Sequence, residues 1–260
     1  MVYADLHVHT TNSDGTMTID EVPAAAKRAG VNVVAVTDHD RTHPDLDAPV
    51  VQRDGVTVVH GIELRVEAGD QRVDLLGYGV EDGGSDLAAL VDHLQTDREQ
   101  RGAAIIANVE DRLDVDLGLE SRPGLGRPHI ARAVADHPDT EYEYGEVFEH
   151  LIGDDGPCYV PRDVPSFEEG HAVLTEACGL VSLAHPFRYP DPGAALELCA
   201  DLPAVERYYD YGHAVDTALV ERAVDEYDLL VTGGSDAHDD DLGITGLSEA
   251  EYERIAARIA

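Results

Sequence analysis

Tryptophan is absent from this chain, phenylalanine occurs three times, and Lys27 is the lone lysine. Hydrophobic residues still make up 43% of the 260 positions, so Val, Leu, Ile and Ala have to fill the core. No run approaches the about 18 consecutive apolar residues that a membrane span needs. The start, MVYADLHVHT, has neither a basic region nor a long apolar stretch, which argues against a secretory signal and for a cytoplasmic protein. Cysteine is scarce: Cys158, Cys178 and Cys199 are widely spaced and form no CxxC pair. That excludes a disulfide framework and leaves three small buried side chains as the reading. Positive charge is scarcer still relative to negative, and the formal net charge is −35. Such a chain repels itself in dilute buffer and stays compact where salt screens the repulsion, which points to a high-salt, halophilic cytoplasm. A broad duplex DNA-binding surface needs a basic face and is excluded; a short nucleic-acid end held in one pocket is not.

What is present is an alternation of strand-like and helix-like segments. Val2 to His7, Val31 to Thr37, Val56 to Glu63 and Val73 to Val80 are short, largely β-branched runs, the last following a turn around Gly69 and Asp70. Leu180 to Ala184, Val205 to Tyr209 and Leu229 to Thr232 continue the series. Helical patterns fall between them at Ile19 to Ala29, closing at Gly30, at Phe167 to Ala177 and at Val215 to Tyr227. Strands separated by helices predict a parallel α/β sheet closed into a barrel, a fold that often reaches this length as one unit. Residues 85–157 break the rhythm with charged helices and the loop SRPGLGRP. The expected organisation is therefore a barrel from 1–84 and 158–260 with an inserted helical subdomain at 85–157.

Polar residues gather where the strands end. DLHVHT places His7 and His9 two residues apart, on one face of a strand, so both imidazoles reach a single ion. Asp14 follows in NSDGT, His39 in VTDHD, Glu63 in GIE and His185 in LAHP, and GSDAH supplies Asp236 and His238. Strand C-terminal ends share one rim of a parallel barrel, where active sites form. Five histidines and three carboxylates on that rim make a mixed nitrogen–oxygen set suited to Mn, Zn or Fe rather than to an all-oxygen Ca or Mg cage. One ion takes three or four protein ligands, so eight candidates predict two or three divalent ions with a bridging carboxylate. Mn²⁺ is the first expectation, with Zn²⁺, Fe²⁺ and Mg²⁺ as alternatives.

The set DLHVHTTNSDGT, VTDHD, GIE, AHP and GSDAH, in this order and over essentially the whole chain, resembles the PHP (polymerase and histidinol phosphatase) domain family. The resemblance implies a distorted (β/α)7 barrel and a di- or trinuclear centre that hydrolyses phosphate esters. It further implies that His7, His9, Glu63 and Asp236 hold a first metal, that Glu63 bridges to a second also bound by His185, and that Asp14, His39 and His238 hold a third. GRPHIARA at Gly126 to Ala133, YVP at Tyr159 to Pro161 and LAHPFRY at Leu183 to Tyr189 look like the nucleoside 3′,5′-bisphosphate phosphatases and 5′-to-3′ exoribonucleases. In that group the helical insert covers the site, His129 is a further ligand of the second metal, and Arg127 and Arg188 face the phosphate. One position departs: Asp74, in RVDLLGYG, stands where a histidine is common in this subfamily. An aspartate there ligates through oxygen or pairs with a neighbouring arginine such as Arg72, and the second metal's ligand set depends on which.

The implied activity is hydrolysis of a phosphomonoester or a terminal phosphodiester of a small phosphorylated substrate, a nucleotide or an RNA 5′ end. Metal ions lower the pKa of a bound water toward about 7, so no covalent nucleophile is required. Ser235 lies beside Asp236 without a serine-hydrolase motif around it. Two rival readings stay open at this level: a histidinol phosphate phosphatase, against which GRPH argues, and a metal-binding module without catalysis.

Overall fold

The computed structural model describes residues 1–81, 85–122 and 124–260. The last residues of the expected first barrel segment, 82–84, and one residue of the SRPGLGRP loop, Pro123, lie outside the described residues. The described chain divides into two units, Met1–Val91 with Val164–Ala260, and Asp92–Asp163.

The first unit is built on strands β1 (Ala4–Val8), β2 (Val33–Val36), β3 (Val50–Arg53), β4 (Val56–Ala68), β5 (Gln71–Val80), β6 (Cys178–Leu183), β7 (Ala204–Tyr208) and β8 (Leu230–Gly233). Seven of them follow one hydrogen-bonded path, β1-β2-β4-β5-β6-β7-β8, while β3 lies off it as an antiparallel partner of β4. A parallel bridge between Val8 and Ala237, just past β8, brings the first strand back to the last, and the sheet forms a nearly closed distorted barrel. Helices α1 (Val22–Ala29), α5 (Phe167–Ala177), α6 (Pro192–Glu197), α7 (Ala218–Tyr227) and α8 (Glu249–Ile259) flank the strands. Val22, Ala25 and Ala26 of α1 pack with Val34, Val36 and Val58 in one core cluster. Aliphatic residues and alanines fill the space that aromatic residues leave vacant, as the composition requires.

Besides β3, the expectation of a parallel sheet is corrected at one strand of the main path. β5 runs antiparallel to both β4 and β6. The reason is the connection: β4 and β5 are joined by Gly69 and Asp70 alone, and a parallel crossover needs a dozen or more residues. Gly69 takes φ 63°, the value required at the first central position of a type II′ hairpin turn. A second correction follows from the first. Glu63 does not end its strand, because β4 continues to Ala68 in the hairpin with β5. Reversal also puts the start of β5 at the rim where the parallel strands end, so Asp74, early in its strand, stands beside the C-terminal half of β4.

The second unit contains most of α2 (Ser85–Leu113), together with α3 (Arg127–Ala135) and α4 (Tyr144–Val147), which runs on as a π-turn through Ile152. It has its own apolar cluster, with Ile105, Val109, Leu125, Ile130, Val134, Leu151 and Cys158 all buried. The three cysteines are free thiols; Cys158 and Cys199 are buried and Cys178 is partly so.

Candidate metal centre

β1 delivers His7 and, one residue past its end, His9. Both imidazoles are fully buried. His7 Nε2 lies 3.5 Å from Glu63 Oε2 and 3.4 Å from Asp236 Oδ1, and His9 Nε2 lies 3.3 Å and 3.0 Å from the same two atoms. An ion with tetrahedral bonds near 2.0–2.1 Å sets adjacent ligands about 3.3–3.4 Å apart, so the four atoms are spaced as a ligand set. All four are buried and none makes a well-directed hydrogen bond. Orphaned polar atoms in a protein interior are costly, and two converging carboxylates are more so. A divalent cation resolves both costs, and the residues present fit one.

Two further groups adjoin this one. His9, Asp14, His39 and His238 bring ligand atoms within 4.8 Å of one another, as do Glu63, Asp74 and His185. Within the former, His238 Nε2 is 3.4 Å and His39 Nε2 3.8 Å from the Asp14 carboxylate. Glu63 joins the groups through opposite oxygens. Its Oε2 faces His7, His9 and His39 Nδ1, the last at 2.7 Å, while Oε1 is 2.9 Å from His185 Nε2. Glu63 would thus be able to serve both groups, one oxygen to each. Eight sequence-derived candidates are therefore brought together, with Asp74 as a ninth. Two of them, His185 (φ 21°) and Asp236 (φ 53°), adopt left-handed backbone, which costs a residue other than glycine and recurs at functional sites.

Electrostatics follow from this crowding. Burial lowers the pKa of His7, but the charges of Glu206, Asp236 and Glu63 outweigh it and hold the imidazole well above its ordinary value. Burial works against protonation of His39 too, and the Glu63 carboxylate overcomes it, raising the pKa to about 9. For Glu63 and Asp236 burial favours the neutral acid, yet the neighbouring histidines hold both well below the usual carboxylate range. The carboxylates thus recruit protons onto imidazoles, the positive charge that a metal would otherwise bring.

Three supporting carboxylates escaped the sequence reading. Glu206, on β7 and fully buried, lies with Oε1 3.1 Å from His7 Nδ1, and its Oε2 accepts the backbone N–H of His185 at 2.7 Å. Asp5 accepts from Ser235 N at 2.9 Å, Ser235 Oγ at 2.6 Å and Gly243 N at 2.8 Å, tying the Asp236 loop to β1. Ser235 is thereby an anchor rather than a nucleophile. Gly234 is required by the same close packing, since a Cβ there would collide with the His7 backbone. Asp38 accepts from Thr10 N and Oγ, Asn12 Nδ2 and Ser13 Oγ, shaping the loop that presents Asp14. Asp5 and Asp38 stand inside the quoted motifs, two residues before His7 and one before His39, and that adjacency was the available signal. Glu206 lies in no motif and had none.

Arg188 donates from Nη1 to Asp236 Oδ2 and to the Tyr209 hydroxyl, both at 2.9 Å. Asp74 pairs with Arg65, while Arg72 pairs with Glu67. Arg127 and His129 belong to the second unit. There Arg127 pairs with Asp154 at 2.8 Å, and His129 Nδ1 accepts the Gly126 N–H at the start of α3. The three ligand groups found among the described residues do not include His129.

Comparison with known proteins gives a consistent picture. The PHP domain matches residues 5–259. A phosphoribosyl 1,2-cyclic phosphate 1,2-diphosphodiesterase of Eggerthella lenta is 33% identical over 249 residues, which is 90% of this chain and 93% of the relative. A 3′,5′-nucleoside bisphosphate phosphatase of Chromobacterium violaceum is 27% identical over 92% of this chain and 88% of its own length. A 5′-3′ exoribonuclease of Haemophilus influenzae is 25% identical, covering 90% and 89%. Among solved structures, one from Bifidobacterium adolescentis superposes with a TM-score of 0.80 at 23% identity, covering 99% of this chain and 96% of the other. That likeness is one of fold.

Proposed function

This chain belongs to the PHP family and is a metal-dependent phosphoesterase, and from that premise we propose that it hydrolyses a phosphate ester carried on ribose, in a nucleoside 3′,5′-bisphosphate or at an RNA 5′ end. The observation that carries the reading is the convergence of buried ligand atoms of His7, His9, Glu63 and Asp236 without well-directed hydrogen bonds, adjoined by two more ligand groups. We assign His7, His9, Glu63 and Asp236 to a first divalent ion, Asp14, His39 and His238 to a second, and His185 with Glu63 to a weaker neighbouring position. Mn²⁺ fits the mixed nitrogen–oxygen donors. When bound, such ions supply charge neutralisation for phosphate oxygens and a water activated at neutral pH.

The chain's own residues do the rest. Glu206 holds the Nδ1 proton of His7, so Nε2 is the nitrogen that would give up its proton to an ion in the centre. Arg188, half exposed beside Asp236, is positioned to pair with a phosphate oxygen through a guanidinium edge. Arg127 and His129 enter on the strength of the GRPH motif rather than of geometry. The excess of acid leaves duplex DNA out of this reading, and among the described residues no helix is long and apolar enough to cross a membrane. A cytoplasmic enzyme acting on small substrates is the consistent picture.

A second reading has a specific observation behind it: the Eggerthella lenta relative, at 33% identity, acts on a phosphoribosyl cyclic phosphate. A panel with Mn²⁺ separates the readings. Turnover of a nucleoside 3′,5′-bisphosphate and a short 5′-phosphorylated RNA supports the first; turnover of phosphoribosyl 1,2-cyclic phosphate alone supports the second. Preference for histidinol phosphate over all of these would overturn both.

A further inference from the structure

Along one face of the β4–β5 hairpin, cross-strand pairs step away from the centre: Glu63 opposite Leu76, Arg65 opposite Asp74, Glu67 opposite Arg72. Arg65 donates from Nε and Nη2 to the two carboxylate oxygens of Asp74, at 2.7 Å and 2.6 Å. This side-by-side arrangement is the strongest that guanidinium and carboxylate form. Asp74 is 1% exposed, and its backbone N–H donates to the Tyr189 hydroxyl at 2.8 Å, which in turn donates to the Ala184 carbonyl. The aspartate is therefore held in place and its charge is already balanced.

The same aspartate would have to complete the third ligand group. That group has three members where the other two have four, and its only other carboxylate, Glu63, is shared with the first group. Asp74 Oδ2 stands 3.8 Å from His185 Nε2, against 2.9 Å for Glu63 Oε1. A divalent ion there would meet a neutralised carboxylate with a fixed guanidinium next to it. Arg65 also lines the cavity of about 370 Å³ into which Asp14, His39, His185 and His238 open. Two of its nitrogens are committed to Asp74, which leaves Nη1 to a ligand in that cavity.

We propose that Arg65 is a built-in cation of this centre: it withdraws Asp74 from the ligand set, so that two divalent ions bind tightly rather than three, and its guanidinium serves as the third cation facing the substrate phosphate. The inference rests on the metal-dependent phosphoesterase reading. It also explains why an aspartate serves at position 74, since a histidine could not form this pair. Arg65 is accordingly a positioning residue for Asp74 as well as a candidate contact for substrate.

The test is metal stoichiometry, measured by elemental analysis after loading with Mn²⁺ and exhaustive dialysis. The wild type retains two ions per chain, and Arg65→Met retains three, because Asp74 is released to ligate. Arg65→Lys, which keeps the charge, stays at two. Arg65→Met leaves a buried carboxylate without its partner, so the double variant Arg65→Met with Asp74→His is measured alongside it; it buries no orphaned charge and is expected to hold three. Three ions in the wild type would overturn the proposal while leaving the phosphoesterase reading intact. So would two ions in the double variant. Retention of no metal by any of the proteins would sink the underlying reading instead.

Discussion

Nδ1 of His7 lies 3.1 Å from Oε1 of Glu206, a pair fully shielded from solvent and contributed by two strands nearly 200 residues apart in sequence. The carboxylate orients the imidazole so that Nε2 faces Glu63 and Asp236, and with its other oxygen it holds the backbone of His185. Glu206→Gln leaves one face of the amide able to accept and turns the other, a donor, against the His185 N–H. Metal affinity should fall about 10- to 100-fold, the usual cost of losing such a partner. Titration with Mn²⁺ checks this, with circular dichroism to confirm the fold.

His39→Ala and Asp236→Ala should each abolish turnover while leaving the far-ultraviolet spectrum unchanged, because each removes a ligand and neither fills the core. Chelation should silence the wild type, and added Mn²⁺ should restore it. Full activity in either variant would show that the centre is not where hydrolysis occurs.

Proton release sets the pH dependence. Burial disfavours the charged form of His39, but Glu63 prevails and the pKa reaches about 9, so the metal-free protein keeps this proton at neutral pH. An incoming ion has to displace it, and Mn²⁺ affinity should therefore rise with pH and level off near 9. The folded value lies above the unfolded one. The associated stability is fully present below about 6.5 and is lost as pH rises through about 9. Thermal melting of the metal-free protein should accordingly weaken over that window, and that of the Mn²⁺-loaded protein should not.

A net charge of −35 on one chain predicts a salt requirement. The screening length shrinks from about 10 Å at 0.1 M salt to about 3 Å at 1 M, which suppresses repulsion between surface carboxylates. The melting temperature should climb steadily through a KCl series into the molar range. A flat curve would remove the halophilic interpretation.

Arg188→Ala should raise KM at least about tenfold for the phosphorylated substrate, the loss of one charge-assisted bond. Arg127→Ala tests the GRPH motif in the same assay. An unchanged KM in both would remove arginine recognition by these two positions.

The convergence of His7, His9, Glu63 and Asp236 was legible before any fold was known. His7 and His9 share a strand face by the period of two, and histidines and acids recurring at strand ends can converge only if those ends meet at one rim. The α/β class was legible for a similar reason, since β-branched runs and helical spacings alternate along the chain. The tertiary structure alone settled three things, and each is a matter of partners distant in sequence. β5 runs backwards because a two-residue turn precludes a crossover, and that reversal brings Asp74 to the rim. Arg65, not Arg72, takes Asp74, because cross-strand register rather than proximity in sequence chooses the pair. Glu206 buttresses His7 because β7 and β1, which flank β8 on either side, turn these two buried side chains toward each other. Local periodicity reports which way a side chain points; what it meets there depends on strand direction and register, which no local pattern encodes.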